Sequence, residues 1–149
     1  MKRVLFICLG NICRSTMAEF VCRAMVEKAG LSNQIEIASA ATSTEALGWD
    51  VHQGTQTKLS QEGIPWNHRK AHQMQKADYD QYDYIIAMEQ RNIRDLNRRI
   101  GDPYSKYTLL LDYTDNPRDI ADPWYTGNFD DTYNDIVEGC TGLLEALAP

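Results

Sequence analysis

A cysteine and an arginine near the N-terminus are spaced so that they could hold a phosphate-like dianion over a sulfur atom. Five residues separate Cys8 from Arg14, and Ser15 follows directly. The segment lies between an apolar run and a helical pattern, so loop N–H groups and a helix N-terminus can converge on one anion. Arg14 offers a planar guanidinium that can bind two oxygens, and the same positive field favours the thiolate of Cys8. Gly10 lets the backbone turn towards the anion without a Cβ in the way.

The simpler interpretation of Cys8 is a small buried side chain at the end of a strand, a common position for cysteine. Against it, Gly10, Arg14 and Ser15 stand at the offsets that a phosphate-binding loop needs. Their joint presence between a strand and a helix favours the phosphate site. The predicted anion-binding residues are Leu9, Gly10, Asn11, Ile12, Cys13, Arg14 and Ser15.

The composition is that of an ordinary globular protein and argues against some classes of partner. The chain has 149 residues, 43% of them hydrophobic and 24% charged, which predicts one domain over residues 1–149. The net charge of −6 leaves no basic face for nucleic acid, although a local pocket can still bind one small anion. The apolar N-terminal stretch is too short for a secretory signal, and no run approaches the ~18 residues that span a membrane.

Apolar runs and helical periodicity alternate along the chain, as they do in βαβ units. Strands are predicted at residues 4–7, 35–38, 84–88 and 108–111, with helices after the first three and at the C-terminus. The helix after the second strand is predicted over residues 55–61. This order predicts a single-domain α/β fold, a doubly wound four-stranded parallel sheet with helices on both faces. Ligands bind such sheets beyond the carboxyl ends of the strands, where the loop after residue 7 lies.

A carboxylic acid is also expected to face Cys8, because displacing phosphate from an ester needs a proton for the leaving oxygen. We prefer Asp122, since Pro123 stiffens the backbone after it and Trp124 and Tyr125 place aromatic rings beside it. The alternative for the two rings is packing against the C-terminal helix. The remaining acids of this stretch would only keep a loop solvated; they are Asp112, Asp115, Asp119, Asp130, Asp131 and Asp135.

No metal and no other cofactor is expected. The acidic stretch lacks the spacing of a calcium loop. His68 and His72 stand four residues apart, as metal ligands on a helix do, but Pro65, two basic neighbours and the lack of a nearby third ligand argue against a site.

The four cysteines do not make a disulfide framework in a chain of this length, so we expect reduced thiols and a cytoplasmic protein. Cys13 lies five residues from Cys8 in a loop that curls around one anion, so their sulfurs could approach bonding distance. An oxidised Cys8 would then be trapped as a reversible disulfide. The alternative is that Cys13 points into the core as a small hydrophobic residue.

Together these residues resemble the low-molecular-weight protein tyrosine phosphatases, in particular the bacterial members. The similarity covers nearly the whole chain and rests on residues 8–15, 39–40, 82–88 and 122–125. It implies that the chain hydrolyses phosphotyrosine in proteins through a phosphocysteine intermediate. By the resemblance Cys8 is the nucleophile, Arg14 binds the transition state, and Asp122 is the general acid and base.

The resemblance also assigns supporting residues. Asn11 would hold the shape of the loop, with Ser39 as a hydrogen-bond partner, and Ser15 would donate to the Cys8 sulfur. Trp49 is expected to form one wall of a substrate cleft, together with Ile12, Trp124 and Tyr125. Two positions depart from the family pattern: His72 stands where arginine is commoner, and Glu89 replaces a usual aspartate.

Substrate choice is expected to depend on the depth of the cleft and on Ile12. A phosphotyrosine holds its phosphorus about 6.5 Å from its Cα. Phosphoserine is much shorter, so a cleft with aromatic walls should admit only the longer group. Phosphoarginine is the competitor, because its side chain is also long and flat. Similar enzymes that prefer phosphoarginine carry a threonine at the position of Ile12. An apolar Ile12 favours a phenyl ring, unless it simply packs beneath the loop.

Two other classes share parts of this pattern. A thiol-dependent arsenate reductase needs further cysteines to pass on a disulfide, but none lies between Cys22 and Cys140, and it has no use for Asp122. A catalytically silent phosphate-binding module would be expected to lack Cys8 or Asp122. The phosphatase interpretation is preferred, with phosphotyrosine-containing proteins as partners and a bacterial tyrosine kinase among the candidates. The oligomeric state stays open, with a monomer as the expectation.

Overall fold

A four-stranded, all-parallel β-sheet with the strand order β2-β1-β3-β4 forms the centre of the protein. The computed structural model describes residues 1–148. The predicted fold class, a doubly wound parallel sheet, is confirmed. The strands are β1 (Lys2–Cys8), β2 (Ile35–Ala41), β3 (Tyr84–Ala87) and β4 (Tyr107–Leu109).

Helices cover both faces of the sheet. Val4 and Phe6 of β1 point into one apolar layer and Leu5 and Ile7 into the other, as alternation along a strand requires. Because both layers are buried, β1 is apolar at every position from residue 4 to 7. The α-helices are α1 (Arg14–Lys28), α2 (Gln53–Gln61), α3 (Lys76–Gln81), α4 (Gln90–Arg99), α5 (Pro123–Thr126) and α6 (Phe129–Leu147).

Two strands end two or more residues away from the predicted position. β4 stops at Leu109 because the Asp112 carboxylate accepts the Leu109 N–H at 2.9 Å and starts a 3₁₀ turn over Leu110–Tyr113. β2 continues three residues beyond the predicted end at residue 38. The extension places Ser39 opposite Phe6 and Ala41 opposite Cys8, so β2 reaches the loop that follows β1.

The carboxyl end of β1 is the switch point of the sheet. The chain leaves β1 to form β2 on one side and later returns to form β3 on the other. Open α/β sheets bind ligands at such a point, where neighbouring loops diverge and leave a crevice. Cys8, the last residue of β1, stands there. No helix in residues 1–148 is long and apolar enough to span a membrane.

Candidate active site

The loop between β1 and α1 folds back over the sulfur of Cys8. The Asn11 N–H donates to Cys8 Sγ at 3.2 Å, which aims the backbone inward. The tight turn falls on Asn11, whose φ is 58°, and not on Gly10 as the sequence suggested. Asparagine tolerates this left-handed conformation better than most residues. A Cβ at Gly10 would lie at an ordinary contact distance of 3.5 Å from Ala46, so space alone does not demand glycine there.

A buried chain of hydrogen bonds supports the sulfur from below. Ser15 Oγ lies 3.0 Å from Cys8 Sγ and accepts the Asn11 amide at 2.8 Å. Because that amide occupies the oxygen, the Ser15 hydroxyl proton is free to donate to a thiolate. The same amide donates to Ser39 Oγ at 2.9 Å, and the Ser39 hydroxyl donates to the Glu19 carboxylate. The expected contacts of Asn11 with Ser39 and of Ser15 with Cys8 are therefore present.

Arg14 lies beneath the cleft with only 2% of its surface exposed. Its Nη1 donates to Glu89 Oε2 at 2.7 Å and to the Ile120 carbonyl at 2.9 Å. Its Nη2 donates to Asp122 Oδ2 at 3.2 Å. Burial acts to lower the pKa of Arg14, but the negative charges of Cys8 and Asp122 outweigh it and raise that pKa above its usual value. The guanidinium is thus a fixed charge at the base of the cleft.

Asp122 lies far from Cys8 and Arg14 in the sequence but borders the same cavity. It is the N-cap of α5, and its Oδ1 accepts the Trp124 N–H at 3.0 Å. Pro123 occupies the first turn, where its missing N–H costs nothing. The capping bond holds one carboxylate oxygen, and the other faces Arg14 and the cleft. The predicted nucleophile, arginine and acid therefore line one cavity.

Aromatic side chains form the walls of this cavity. Trp49 and Trp124 lie with their ring centroids 6.4 Å apart, and Tyr125 borders the cavity beside them. Trp124 is 52% exposed and Tyr125 75%, so neither is packed away against α6, the alternative that the sequence left open. Trp49 borders the cavity as well. Ile12 also borders the cavity, but it is largely buried in a small apolar cluster with Ala46.

Two residues of the site were not found from the sequence. Glu89 was noted only as a departure, yet it makes the short ion pair with Arg14. Arg69 donates through Nη2 to Asn11 Oδ1 at 2.7 Å, and the backbone N–H of His72 approaches the same oxygen at 3.4 Å. Burial lowers the pKa of Arg69, while the charges of Glu19 and Cys8 act to raise it. These partners are far apart along the chain, so no local spacing reveals them.

We expect Arg69→Gln to slow alkylation of Cys8 by iodoacetamide by roughly three- to tenfold, the scale of one lost hydrogen bond of about 1 kcal/mol. The variant removes both the hydrogen bond that holds Asn11 and a positive charge close to the Cys8 sulfur. The measurement is the alkylation rate as a function of pH. Lys70→Gln, at the exposed neighbouring position, is the matched control. A pH profile of Arg69→Gln that coincides with that of the parent would contradict this role.

Cys13 borders the cavity but is largely buried in the cluster around Ile12. Burial raises its pKa, and the charges of Cys8 and Asp122 add to that rise. In the reduced protein the Cys13 thiol is therefore neutral. Oxidation of Cys8 to a sulfenic acid would remove one of those charges and ease attack by Cys13, with loss of water as the disulfide forms.

The redox prediction is that peroxide inactivation will be reversed by a dithiol reductant in the parent and much less in Cys13→Ser. Without a resolving thiol, the sulfenic acid of Cys8 stays open to further, irreversible oxidation. Recovery is measured as the fraction of Cys8 that iodoacetamide again alkylates. The control is Cys22→Ser, which replaces a buried thiol of α1 in the core. Equal recovery in parent and Cys13→Ser would exclude Cys13 as the resolving cysteine.

The histidines considered as metal ligands do not share a site. His68 Nδ1 lies 2.5 Å from Asp50 Oδ2, and His72 contacts the phosphate loop only through its backbone. Residues 1–148 contain no group of three histidine, cysteine or acidic side chains that could hold a metal ion. His52 caps α2, with its Nδ1 accepting the Gly54 N–H at 2.9 Å, and stacks on Phe129.

The chain is similar over its length to proteins of one family. The family model described as low molecular weight phosphotyrosine protein phosphatase matches residues 3–149. YfkJ of Bacillus subtilis, named a low molecular weight protein-tyrosine-phosphatase, is 41% identical over 99% of this chain and 96% of its own. The human low molecular weight phosphotyrosine protein phosphatase is 38% identical over 97% of this chain and 94% of its own.

Solved structures agree. The crystal structure of YfkJ superposes with a TM-score of 0.94 at 42% identity and covers 98% of this chain and 94% of that one. The structure of DARP, a Drosophila arginine phosphatase, gives a TM-score of 0.88 at 28% identity, with 100% and 99% covered. The match along the whole sequence and the shared fold lead to one conclusion: the chain belongs to the low molecular weight phosphotyrosine protein phosphatase family.

Proposed function

We propose that this protein hydrolyses phosphotyrosine in proteins, in two steps, through a phosphocysteine formed on Cys8. The observation that carries the proposal is the convergence of Cys8, Arg14 and Asp122 on one cavity with aromatic walls. Asn11 and Ser15 hydrogen-bond the sulfur from the loop side, so it is held at the base of the cavity. The substrates would be the products of a protein tyrosine kinase.

In the first step the thiolate of Cys8 attacks phosphorus while Arg14 binds two oxygens of the phosphoryl group. In the free protein Arg14 donates a hydrogen bond of 3.2 Å to Asp122. A bound phosphate dianion takes over the guanidinium from Asp122. Asp122 then gives its proton to the phenol oxygen as the P–O bond breaks and the P–S bond forms.

In the second step water replaces the sulfur. Asp122, now a carboxylate, accepts a proton from the attacking water, and an O–P bond forms as the P–S bond breaks. Cys8 leaves as a thiolate, and the Ser15 hydroxyl, 3.0 Å away, can stabilise the charge that it regains. Arg14 stays on the phosphoryl oxygens through both steps, so one cation serves two transition states.

Phosphoarginine is a second candidate substrate, because DARP, named an arginine phosphatase, shares this fold. Both side chains are long, and we expect either of them to reach Cys8 past Trp49 and Trp124. Ile12 borders the cavity with an apolar surface and no hydroxyl, which supports a phenyl ring over a guanidinium. We therefore propose phosphotyrosine as the substrate.

We expect kcat/KM to be highest for phosphotyrosine, low for phosphoarginine, and near background for phosphoserine and phosphothreonine. The shorter side chains cannot carry phosphorus about 6.5 Å from the Cα to the base of the cleft. We expect Ile12→Thr to shift the balance towards phosphoarginine, with Ile12→Val as the matched apolar control. Comparable turnover of phosphoserine would refute the depth argument. A strong preference of the parent for phosphoarginine would refute the role given to Ile12.

Two further observations support a phosphatase over the other classes. Cys22 and Cys140 are buried together between α1 and α6 and do not border the cavity, so they offer no relay for a disulfide from Cys8. Cys8 and Asp122 are both present and both face the cavity, whereas a silent phosphate-binding module needs neither.

A further inference from the structure

The lip of the cleft beside Trp49 carries an acidic residue whose backbone is held by contacts with the phosphate loop. We propose that Glu45 and Trp49 form a binding site for an arginine or lysine close to the phosphotyrosine in the substrate. The inference rests on the proposed function and narrows it from phosphotyrosine in proteins to phosphotyrosine with a basic neighbour. We define the lip as residues 43–49.

One end of the lip is attached directly to the phosphate loop. The Ser43 N–H and its hydroxyl both donate to the Leu9 carbonyl, at 3.1 and 2.9 Å. The Glu45 N–H donates to Ser43 Oγ at 3.3 Å. Ala46 is buried against Ile12 of the same loop. The backbone of Glu45 is thus positioned by the segment that would hold the phosphate.

The other end of the lip is fixed to the strand-like segment around residue 71. The Gly48 N–H donates to the Ala71 carbonyl at 2.8 Å, and the Ala71 N–H donates to the Trp49 carbonyl at 2.7 Å. The Trp49 N–H donates to the Ala46 carbonyl at 2.9 Å, which closes the turn. A lip held at both ends presents its side chains in a defined direction, which is what a specificity site requires.

The charged side chains that border the cleft are mostly negative. Among the described residues that border it, Arg14 is the single cation, and it is buried and bonded to Glu89 and Asp122. Glu45 borders the cleft, is exposed, and forms no ion pair within residues 1–148. Once a phosphate is bound to Arg14, the Glu45 carboxylate in the outer cleft has no positive partner. A basic residue beside the phosphotyrosine can then pair with it.

Trp49 makes the lip suitable for a basic side chain in particular. It is 52% exposed and stands four residues after Glu45 on the same turn. A guanidinium or ammonium group over an indole face gains a cation–π attraction, and Trp is the best ring for it. An arginine near the phosphotyrosine could therefore stack on Trp49 and pair with Glu45, whereas a glutamate there would be repelled.

The test uses three phosphotyrosyl peptides that differ only in carrying arginine, glutamine or glutamate next to the phosphotyrosine. An exposed ion pair strengthens binding by a few-fold. We therefore expect kcat/KM of the parent to be roughly three- to tenfold higher for the arginine peptide than for the glutamate peptide. Added salt should weaken the preference, because both charges are solvent-exposed. Glu45→Gln should bring the ratio close to one, and Glu45→Lys should invert it.

The control is Glu27→Gln, which makes the same change of charge on α1 away from the cleft and should keep the ratio of the parent. An unchanged ratio in Glu45→Gln, or a parent that prefers the glutamate peptide, would overturn the inference. If the parent turns over all three peptides equally, only the lip site is refuted. If it turns over none of them and no free phosphotyrosine, the proposed function fails and the inference fails with it.

Discussion

Replacing Cys8 by serine should abolish turnover of phosphotyrosine and leave binding of phosphate or vanadate measurable. A serine hydroxyl does not ionise near neutral pH, so the nucleophile is lost, and no phosphoryl-enzyme can form. The anion-binding groups remain, because Arg14 and the loop N–H groups are not altered. Turnover is measured with a phosphotyrosyl peptide, and anion binding by the rise in melting temperature on adding phosphate.

The matched control is Cys22→Ala, which removes a thiol from α1 in the core and not from the cavity. It should keep its activity as long as it folds. Substantial turnover by Cys8→Ser would contradict the role of the sulfur. Loss of the phosphate-dependent stabilisation in Cys8→Ser would contradict the claim that the loop and Arg14 bind the anion independently of the nucleophile.

Asp122→Asn should lower the rate by roughly 10²–10⁴-fold on substrates with a poor leaving group, the usual range for general acid catalysis. With an activated phenol, which leaves without a proton, the loss should be much smaller. The comparison is made on kcat/KM, which reports the first step. Asparagine is also a good N-cap, so α5 and the Trp124 contact should be retained.

Asp115→Asn is the control for this prediction, since Asp115 is an exposed acid of the same segment and does not border the cleft. It should behave like the parent with both kinds of substrate. An equal loss by Asp122→Asn on poor and activated leaving groups would mean that Asp122 positions the substrate or the loop and is not the acid.

The fold and the centre of the site follow from the sequence because their signals are local. The apolar strand β1, the loop from Cys8 to Arg14 and the helix α1 are adjacent in the chain, and each has a short-range pattern. The helices α3 and α5 were not predicted. The first is short and polar, with only Tyr79 buried, and the second is a single capped turn after Asp122. The periodicity of apolar residues cannot identify a helix of only four to six residues.

The supporting contacts of the site could not be predicted from the sequence, because they join residues far apart in the chain. Arg69 meets Asn11 and Glu89 meets Arg14 only through the crossover connections of the sheet. The left-handed turn at Asn11 is set by these contacts together, and a glycine next to it was the more obvious choice. Glu45 lacked any motif at all, and its place on the lip appears only once Ser43 is seen to bond Leu9.

The most direct test of the account is to trap the covalent intermediate. The protein is mixed with an activated aryl phosphate, quenched in acid during turnover, digested, and analysed by mass spectrometry for a phosphoryl group on the peptide that contains Cys8. We expect the phosphoryl group on the Cys8 sulfur. It should be more abundant in Asp122→Asn, because the second step also loses its base, and absent in Cys8→Ser. Steady turnover with no phosphoryl group on Cys8, or with one on another residue, would contradict the account.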